Sequence, residues 1–168
     1  MGNRFVQERV LGAAPERVFA CWSDAGSMGS WMCPGEIGSA SVEIDFRVGG
    51  AYRIVMQGTQ DYVQHGEYIE IDVPRRIVMT WISDFVPPEE SRTRVTITFE
   101  PAGEGRTRIV LVHDELPGTD TYAGHEQGWA DILAALAAAL DDAASGDSPA
   151  EPRSRGVADR RRRRPGNE

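Results

Sequence analysis

The sequence contains no lysine, and all 18 of its basic side chains are arginines, set against 26 acidic side chains. The formal net charge of −8 argues against a general binder of nucleic acids or anionic membranes, because a phosphate-bearing surface requires a basic face. The chain also has no run of about 18 apolar residues, so we expect no segment that spans a membrane.

Cysteine and metal-ligand patterns are also scarce. The two cysteines, Cys21 and Cys33, are too few for a disulfide framework. Neither they nor the three histidines match a known ligand spacing, so we expect no metal and no cofactor. Residues 1–9 form a polar alternating pattern without the apolar core of a signal peptide, and we therefore expect a cytoplasmic protein.

The last part of the chain has almost no large apolar residue besides Val157. Such a segment buries too little surface to offset the entropy lost on ordering. We therefore predict one domain over residues 1–141 and a disordered arginine-rich tail over residues 142–168. We interpret the five consecutive arginines at 160–164 as solvated; contact with a nucleic acid or an acidic partner is the alternative.

Periodicity gives the order of the elements. Residues 4–11 read as a strand, and a helix begins near Pro15 with Val18, Phe19 and Trp22 on its buried face. Gly26 and Gly29 are expected to end this helix before a second short helical turn at residues 31–32. Six extended segments follow at hairpin spacing, which predicts an antiparallel meander over residues 42–48, 51–57, 62–73, 76–83, 92–100 and 107–115.

A long helix closes the chain over residues 122–140. Its apolar side chains recur at i, i+3, i+4, i+7 and i+11, and they are Trp129, Ile132, Leu133, Leu136 and Leu140. Such a stripe is best buried against the concave face of the preceding sheet.

Several segments in this order resemble one known family. Residues 45–56, DFRVGGAYRIVM, resemble the D-x-R-x-G-G-x-[YF] turn of the activator-of-heat-shock-protein-90-ATPase-like branch of the START/SRPBCC superfamily. Residues 66–81 are similar to that family's G-x-[YV]-x-E-I-x-x-P-x-R-[IL]-V-x-T-W segment, and residues 107–113 to its T-x-[LIV]-x-[LIV]-x-H strand. Residues 14–19 with Trp31, and Gly128-Trp129, resemble its early and closing helices, so the resemblance covers residues 4–140.

The resemblance implies an α+β helix-grip fold: a curved antiparallel sheet of about seven strands around a long C-terminal helix, with two short helices after the first strand. The implied function is binding of a hydrophobic or polycyclic small molecule in the cavity between sheet and helix, by a monomer or weak homodimer. Some bacterial relatives act in secondary metabolism, so the resemblance also implies sequestration of a natural product or self-resistance to it, including resistance to enediyne antibiotics. An enediyne binder of that type offers glycine Cα–H bonds to the drug.

Alternation and the implied cavity together suggest the ligand-binding residues. His113 lies on the inner face of its strand with Ile109 and Leu111, and it reads either as a polar anchor or as a satisfied core histidine. Tyr68 and His65 lie on opposite faces of one strand, and we favour Tyr68 as the inward one. The candidates, each of which is alternatively simple core, are Trp31, Tyr52, Met56, Tyr68, Trp81, Phe85, His113, Trp129 and Leu133.

Two other classes of function stay open. One is a polyketide cyclase or aromatase in which His113 and Tyr68 form an acid–base pair. The other is a co-chaperone that activates a heat-shock ATPase through its surface. No nucleophile is visible beside His113, so no catalytic residue is assigned and a non-enzymatic binding protein is preferred. Phe85, before a pair of prolines, is expected in a loop that covers the cavity mouth.

Overall fold

The computed structural model describes residues 2–118 and 120–146. The chain runs through β1 Asn3–Leu11, α1 Pro15–Ser23, α2 Ala25–Trp31, β2 Ser39–Ile44, β3 Ala51–Gln57, β4 Asp61–Asp72, β5 Arg76–Ser83, α3 Pro88–Ser91, β6 Arg92–Pro101, β7 Thr107–Leu116 and α4 Asp120–Gly146.

The seven strands form one antiparallel sheet in the order β1-β7-β6-β5-β4-β3-β2. The meander predicted for the six later strands is confirmed, and β1 joins its far edge by pairing with β7. Two short helices follow β1 and one long helix ends the fold, so the helix-grip prediction is confirmed. The short helix α3, between β5 and β6, was not predicted.

One face of the sheet carries the core. On β7, Thr107, Ile109, Leu111 and His113 are all buried, which confirms the inner face predicted from alternation. Side chains of α4 from Trp129 to Leu140 join the same core cluster. The Trp129 ring stacks on Trp22 of α1, so α4 and α1 share one hydrophobic core with the sheet.

The two glycines expected to end the first helix lie inside α2, so that prediction is wrong. A new helix begins there because the Asp24 side chain accepts a 2.9 Å hydrogen bond from the Ser27 amide. Gly29 allows α2 to approach the sheet, since a Cβ at this position would lie 2.9 Å from the Ala40 carbonyl oxygen. The glycine therefore reflects close packing of helix against strand.

The strand predicted over residues 42–48 is too long, because β2 ends at Ile44. The Arg47 amide donates to the Asp45 carbonyl and the Gly50 amide to the Arg47 carbonyl, so the chain turns on itself before β3. Val48 is 61% exposed as a result. Alternation continues in the sequence although the backbone has left the sheet.

The closing helix is longer than its apolar stripe suggested, since α4 runs to Gly146 and includes residues 142–146 of the segment predicted as tail. The remainder of that segment, residues 147–168, lies outside the described residues. Among the described helices, α4 included, none combines the length and the apolar character required to cross a membrane.

Candidate functional site

A cavity of about 780 Å³ lies between the sheet and the N-terminal half of α4. Its floor is formed by inward side chains of the sheet, and its rim by the segments at residues 34–37, 58–59 and 85–87. On the floor are Met56 of β3, Tyr62 and Gln64 of β4, and Trp81 of β5. Aromatic and thioether groups predominate, so this floor favours an apolar ligand.

The helix wall of the cavity follows one face of α4. Most of its residues recur at i, i+3, i+4, i+7, i+8 and i+11, and they are Thr121, Gly124, His125, Gly128, Trp129 and Ile132; Gln127 and Asp131 of α4 also line the cavity. A Cβ added at Gly124 or Gly128 would meet no atom within 4 Å. Glycine inside a helix costs about 0.8–1 kcal/mol relative to alanine, so α4 gives up stability where it borders the cavity.

His113 lies beside the cavity and is fully engaged in hydrogen bonds. The Trp129 indole nitrogen donates to His113 Nδ1 at 2.9 Å, so the ring proton sits on Nε2. Nε2 donates to Thr93 Oγ1 at 2.7 Å, and Thr93 donates to the Trp81 carbonyl at 2.7 Å. Burial, with a smaller effect of His125, holds the pKa of His113 well below its usual value. A neutral His113 thus fixes the ring of Trp129 on the cavity wall.

His125 lines the cavity, although it was not among the predicted ligand-binding residues. Its Nδ1 donates to the Thr121 carbonyl at 2.8 Å, and its Nε2 lies 3.3 Å from Ser83 Oγ. Ser83 donates to Gln64 Oε1. Burial lowers the pKa of His125, against a smaller opposing effect of the Thr121 hydrogen bond, so the ring is neutral at pH 7. Its position four residues before Trp129 was the signal in the sequence that placed it on this face.

Trp81 lines the site and also holds a polar atom in the core that is unpaired within the described chain. The residue is 2% exposed, and its indole nitrogen has no hydrogen-bond partner within the part of the chain that the structure describes. Its ring lies 4.8 Å from the Trp129 ring and 6.1 Å from that of Tyr52. Trp81 therefore presents a buried donor next to an aromatic surface.

The structure brings four of the nine predicted ligand-binding residues to the cavity, and they are Met56, Trp81, Phe85 and Trp129. The other five are buried away from its lining, and they are Trp31, Tyr52, Tyr68, His113 and Leu133. Their buried positions agree with the alternative prediction that these residues belong to the hydrophobic core. For the four at the cavity, ligand contact stays a prediction.

Three of the five have clear packing partners. Trp31 packs against Trp22 with ring centroids 4.7 Å apart. The Tyr52 hydroxyl donates to the Thr80 carbonyl at 2.6 Å. Tyr68 packs on the rings of Tyr52 and Phe46, and it is buried whereas His65 on the opposite face is not.

The acid–base pair of the enzyme alternative has no support in this arrangement. Both ring nitrogens of His113 are already hydrogen-bonded, and burial raises the pKa of Tyr68 far above its usual value. The tyrosine packs with Phe46 and Tyr52, while His113 packs with Phe5, Trp81, His125 and Trp129. A proton transfer between them would require both to leave these positions.

Phe85 covers one side of the cavity mouth, as the loop position suggested. It is 48% exposed, and its ring lies edge-on to Tyr62 at 5.1 Å and parallel to His125 at 6.4 Å. It thus bridges the sheet and α4 across the opening.

No group of three or more potential metal ligands occurs within residues 2–118 and 120–146. Cys21 and Cys33 are free, and burial raises the pKa of the Cys33 thiol, which lowers its reactivity.

A curved seven-stranded sheet that grips a long helix over an apolar cavity defines a helix-grip protein of the START/SRPBCC class. Residues 12–141 match the model of the family described as Activator of Hsp90 ATPase homolog 1-like protein, and the chain belongs to this family. The resemblance found in the sequence is therefore confirmed. None of the curated proteins compared with the chain matches it.

Solved structures agree with this assignment. A Chromobacterium violaceum protein is 28% identical with a TM-score of 0.70, over 83% of this chain and 98% of its own. A Rhizobium leguminosarum protein is 27% identical with a TM-score of 0.67, over 84% and 96%. An Hsp90 activator from Plasmodium falciparum is 22% identical with a TM-score of 0.69, over 82% and 96%, which shows a shared fold alone.

Proposed function

We propose that the protein binds an apolar aromatic small molecule in the cavity between the sheet and α4, without making or breaking a bond. The observation that carries the proposal is the open space at Gly124 and Gly128 of α4, which line the same cavity as the buried rings of Trp81 and Trp129. A ligand that fills this space removes apolar surface from water on both partners, at about 25 cal/mol per Å².

The cavity walls are held in place before a ligand arrives. Trp129 is fixed by its hydrogen bond to His113, and Trp81 is held between β4 and β6 in the middle of the sheet. A preformed site loses little conformational entropy on binding, which favours affinity. Phe85, at the mouth, is the group best placed to move when a ligand enters.

The more specific expectations are also proposals. Sequestration of a polycyclic natural product, such as an enediyne antibiotic, is supported by the cavity's volume and aromatic walls and by the family resemblance. A cytoplasmic location and a monomer or weak homodimer are supported by the composition and the resemblance.

The test is a thermal-shift and tryptophan-fluorescence titration with polycyclic aromatic polyketides, enediynes and simple polycyclic aromatics, followed by intact mass of protein and ligand. Saturable binding with unchanged masses is the expected result. The variant Gly124→Leu fills open space and should abolish binding while the fold is kept. Ala134→Leu adds the same side chain on the exposed face of α4 and should bind like the wild type.

Two results would contradict the proposal. Absence of binding across the whole panel removes the binding function, and a change in ligand mass moves the protein to the enzyme class. Equal affinity in wild type and Gly124→Leu would place the ligand elsewhere on the molecule.

A second candidate is activation of a heat-shock ATPase, supported by the family description and by the printed name of the Plasmodium falciparum neighbour. Its test is the ATPase rate of a purified bacterial Hsp90 homologue with and without this protein. A concentration-dependent rise in rate that Gly124→Leu leaves unchanged would assign this activity to the surface and not to the cavity.

A further inference from the structure

One side of the cavity is polar, and three residues from different elements form it. They are Gln64 of β4, Ser83 of β5 and His125 of α4, and we name them the polar corner. Gln64 and His125 line the cavity, and Ser83 lies behind them with 1% exposure. Buried polar groups are costly unless they are paired, so their hydrogen bonds decide which ligand group fits here.

The direction of each hydrogen bond follows from the Thr121 carbonyl, which can only accept, and from the single hydroxyl hydrogen of Ser83. The Thr121 carbonyl can only accept, so His125 Nδ1 carries the proton and Nε2 of the neutral ring is an acceptor. The Ser83 hydroxyl has one hydrogen, which it donates to Gln64 Oε1, the nearer of its two neighbours. The carboxamide nitrogen of Gln64 is thereby left as a donor. The polar corner offers one acceptor and one donor to a ligand.

The charges around the cavity exclude an anion. Glu36 and Asp131 line it, and none of its lining residues within the described chain is an arginine. A carboxylate or phosphate ligand would meet two carboxylates and an imidazole acceptor, without a cation to offset its loss of hydration. An uncharged or cationic ligand therefore fits the negative potential of these two carboxylates.

The helix wall next to the polar corner fits a flat group. Gly124 and Gly128 flank His125 on the same face of α4, and both positions are open to the cavity. Without side chains there, the backbone of α4 forms a shallow surface that a planar ring system can approach closely. Trp81 and Trp129, with rings 4.8 Å apart, provide the aromatic surface beside it.

We propose that this cavity selects a flat, uncharged aromatic molecule that carries a hydroxyl group, an inference that rests on the binding function proposed above. The hydroxyl oxygen accepts a hydrogen bond from the Gln64 carboxamide, and its hydrogen is donated to His125 Nε2. The ring system lies on the α4 surface at Gly124 and Gly128, against Trp81 and Trp129.

A hydroxyl matches both atoms of the polar corner, because its oxygen accepts one hydrogen bond and its hydrogen is donated in another. A protonated amine can satisfy His125 Nε2, but it has no lone pair to accept from Gln64. An unsubstituted ring displaces water from both atoms without replacing its hydrogen bonds, which weakens binding.

The test uses four fluorescent probes with one ring system: pyrene, hydroxypyrene, pyrenecarboxylate and pyrenemethylamine. We expect the wild type to bind hydroxypyrene about tenfold more tightly than pyrene, and the carboxylate most weakly, since the two hydrogen bonds of the hydroxyl together contribute on the order of a factor of ten once its lost hydration is subtracted. His125→Phe keeps a ring beside Phe85 and removes the acceptor. It should reduce the preference for hydroxypyrene over pyrene to about twofold or less.

Two further variants guard against an effect on folding. Gln64→Met removes the donor and should weaken the preference for hydroxypyrene in the same way. His65→Phe makes the same substitution as His125→Phe on the opposite, outer face of the sheet and should preserve the wild-type preference.

Each outcome has a separate meaning. If the wild type binds pyrene and hydroxypyrene equally, or binds the carboxylate or the amine best, the hydroxyl inference is overturned and the binding function stands. A preference for hydroxypyrene that survives both His125→Phe and Gln64→Met also overturns it. If the wild type binds neither these probes nor any compound of the wider panel, both proposals fail.

Discussion

The two halves of α4 face the same sheet but meet it differently. The N-terminal half borders the cavity with Thr121, Gly124, His125 and Gly128, whereas the C-terminal half inserts leucines at 133, 136 and 140 into the packed core. Where the leucines stand, the space between sheet and helix is filled by the chain itself. Side-chain size at a few helix positions thus decides where this fold keeps room for a ligand.

The four tryptophans repeat this contrast. Trp22 and Trp31 pack on each other at 4.7 Å inside the core, next to the ring of Phe99. Trp81 and Trp129 lie at a similar 4.8 Å and form cavity wall. The same residue type therefore serves stability in one region and a candidate site in the other, and its role is set by its neighbours.

The largest effect on stability should come from a substitution in the C-terminal half of α4, which is packed into the core. Leu136 is 0% exposed, so Leu136→Ala leaves a void and should lower the free energy of unfolding by about 2–5 kcal/mol. Urea denaturation measures this loss. A loss below about 1 kcal/mol would mean that this half of α4 is not tightly packed.

His113 links the two regions, and its removal should have the next largest effect. In His113→Leu the Trp129 indole nitrogen loses its acceptor while it stays buried, which should cost about 1–3 kcal/mol. Urea denaturation of this variant, with the exposed His65→Leu as control, tests the bond. Equal stability of the two variants would show that the hydrogen bond contributes little.

The buried histidines should also make stability depend on pH. Burial lowers the pKa of His113 and of His125 in the folded state, so below pH 6.5 the unfolded chain takes up protons that the folded chain does not. Stability contributed by the neutral rings should be full above pH 6.5 and fall as the pH drops, by up to about 1.4 kcal/mol per pH unit for each histidine. Denaturation curves in steps from neutral pH downward measure this slope.

The variant His113→Leu should show a smaller slope, because one of the two histidines is gone. A slope equal to that of the wild type would contradict the neutral, buried state of His113.

The smallest effect should come from a substitution in the N-terminal half of α4, which borders the cavity. Here the free energy of unfolding should rise instead of fall. Gly128→Ala adds a methyl group into open space and removes a helix glycine, which should raise the free energy of unfolding by about 0.5–1 kcal/mol. Gly29→Ala is the matched control in a helix, and it should be destabilising because its Cβ would lie 2.9 Å from the Ala40 carbonyl oxygen. If both variants are destabilised, the space at Gly128 is not open.

Much of this fold was predictable because its signals are local. Period-two alternation on β7 and the helical stripe from Trp129 to Leu140 both depend on near neighbours in the sequence. The loop at residues 45–50 was misjudged because alternation persists there, while backbone hydrogen bonds at Asp45 and Gly50 take the chain out of the sheet.

The site was harder to predict, because its members are joined by tertiary contacts. Trp31 and Trp81 are both buried, but Trp31 of α2 packs against Trp22 of α1, whereas Trp81 of β5 also lines the cavity. His113 was selected and His125 was not, although the two rings lie 5.0 Å apart in the fold and, of the two, it is His125 that lines the cavity. Both ring nitrogens of His113 are hydrogen-bonded to residues that are distant in the sequence: Thr93, 20 residues away, and Trp129, 16 residues away.

The most direct test of the central claim is an NMR titration that follows the four indole N–H signals during addition of a polycyclic aromatic ligand. If the ligand binds in the cavity, the signals of Trp81 and Trp129, which line it, should show large, saturable shifts. The signals of Trp22 and Trp31 in the packed core should show small shifts. The reverse pattern, or equal small shifts of all four signals at saturation, would contradict the claim that the ligand occupies the space left open by α4.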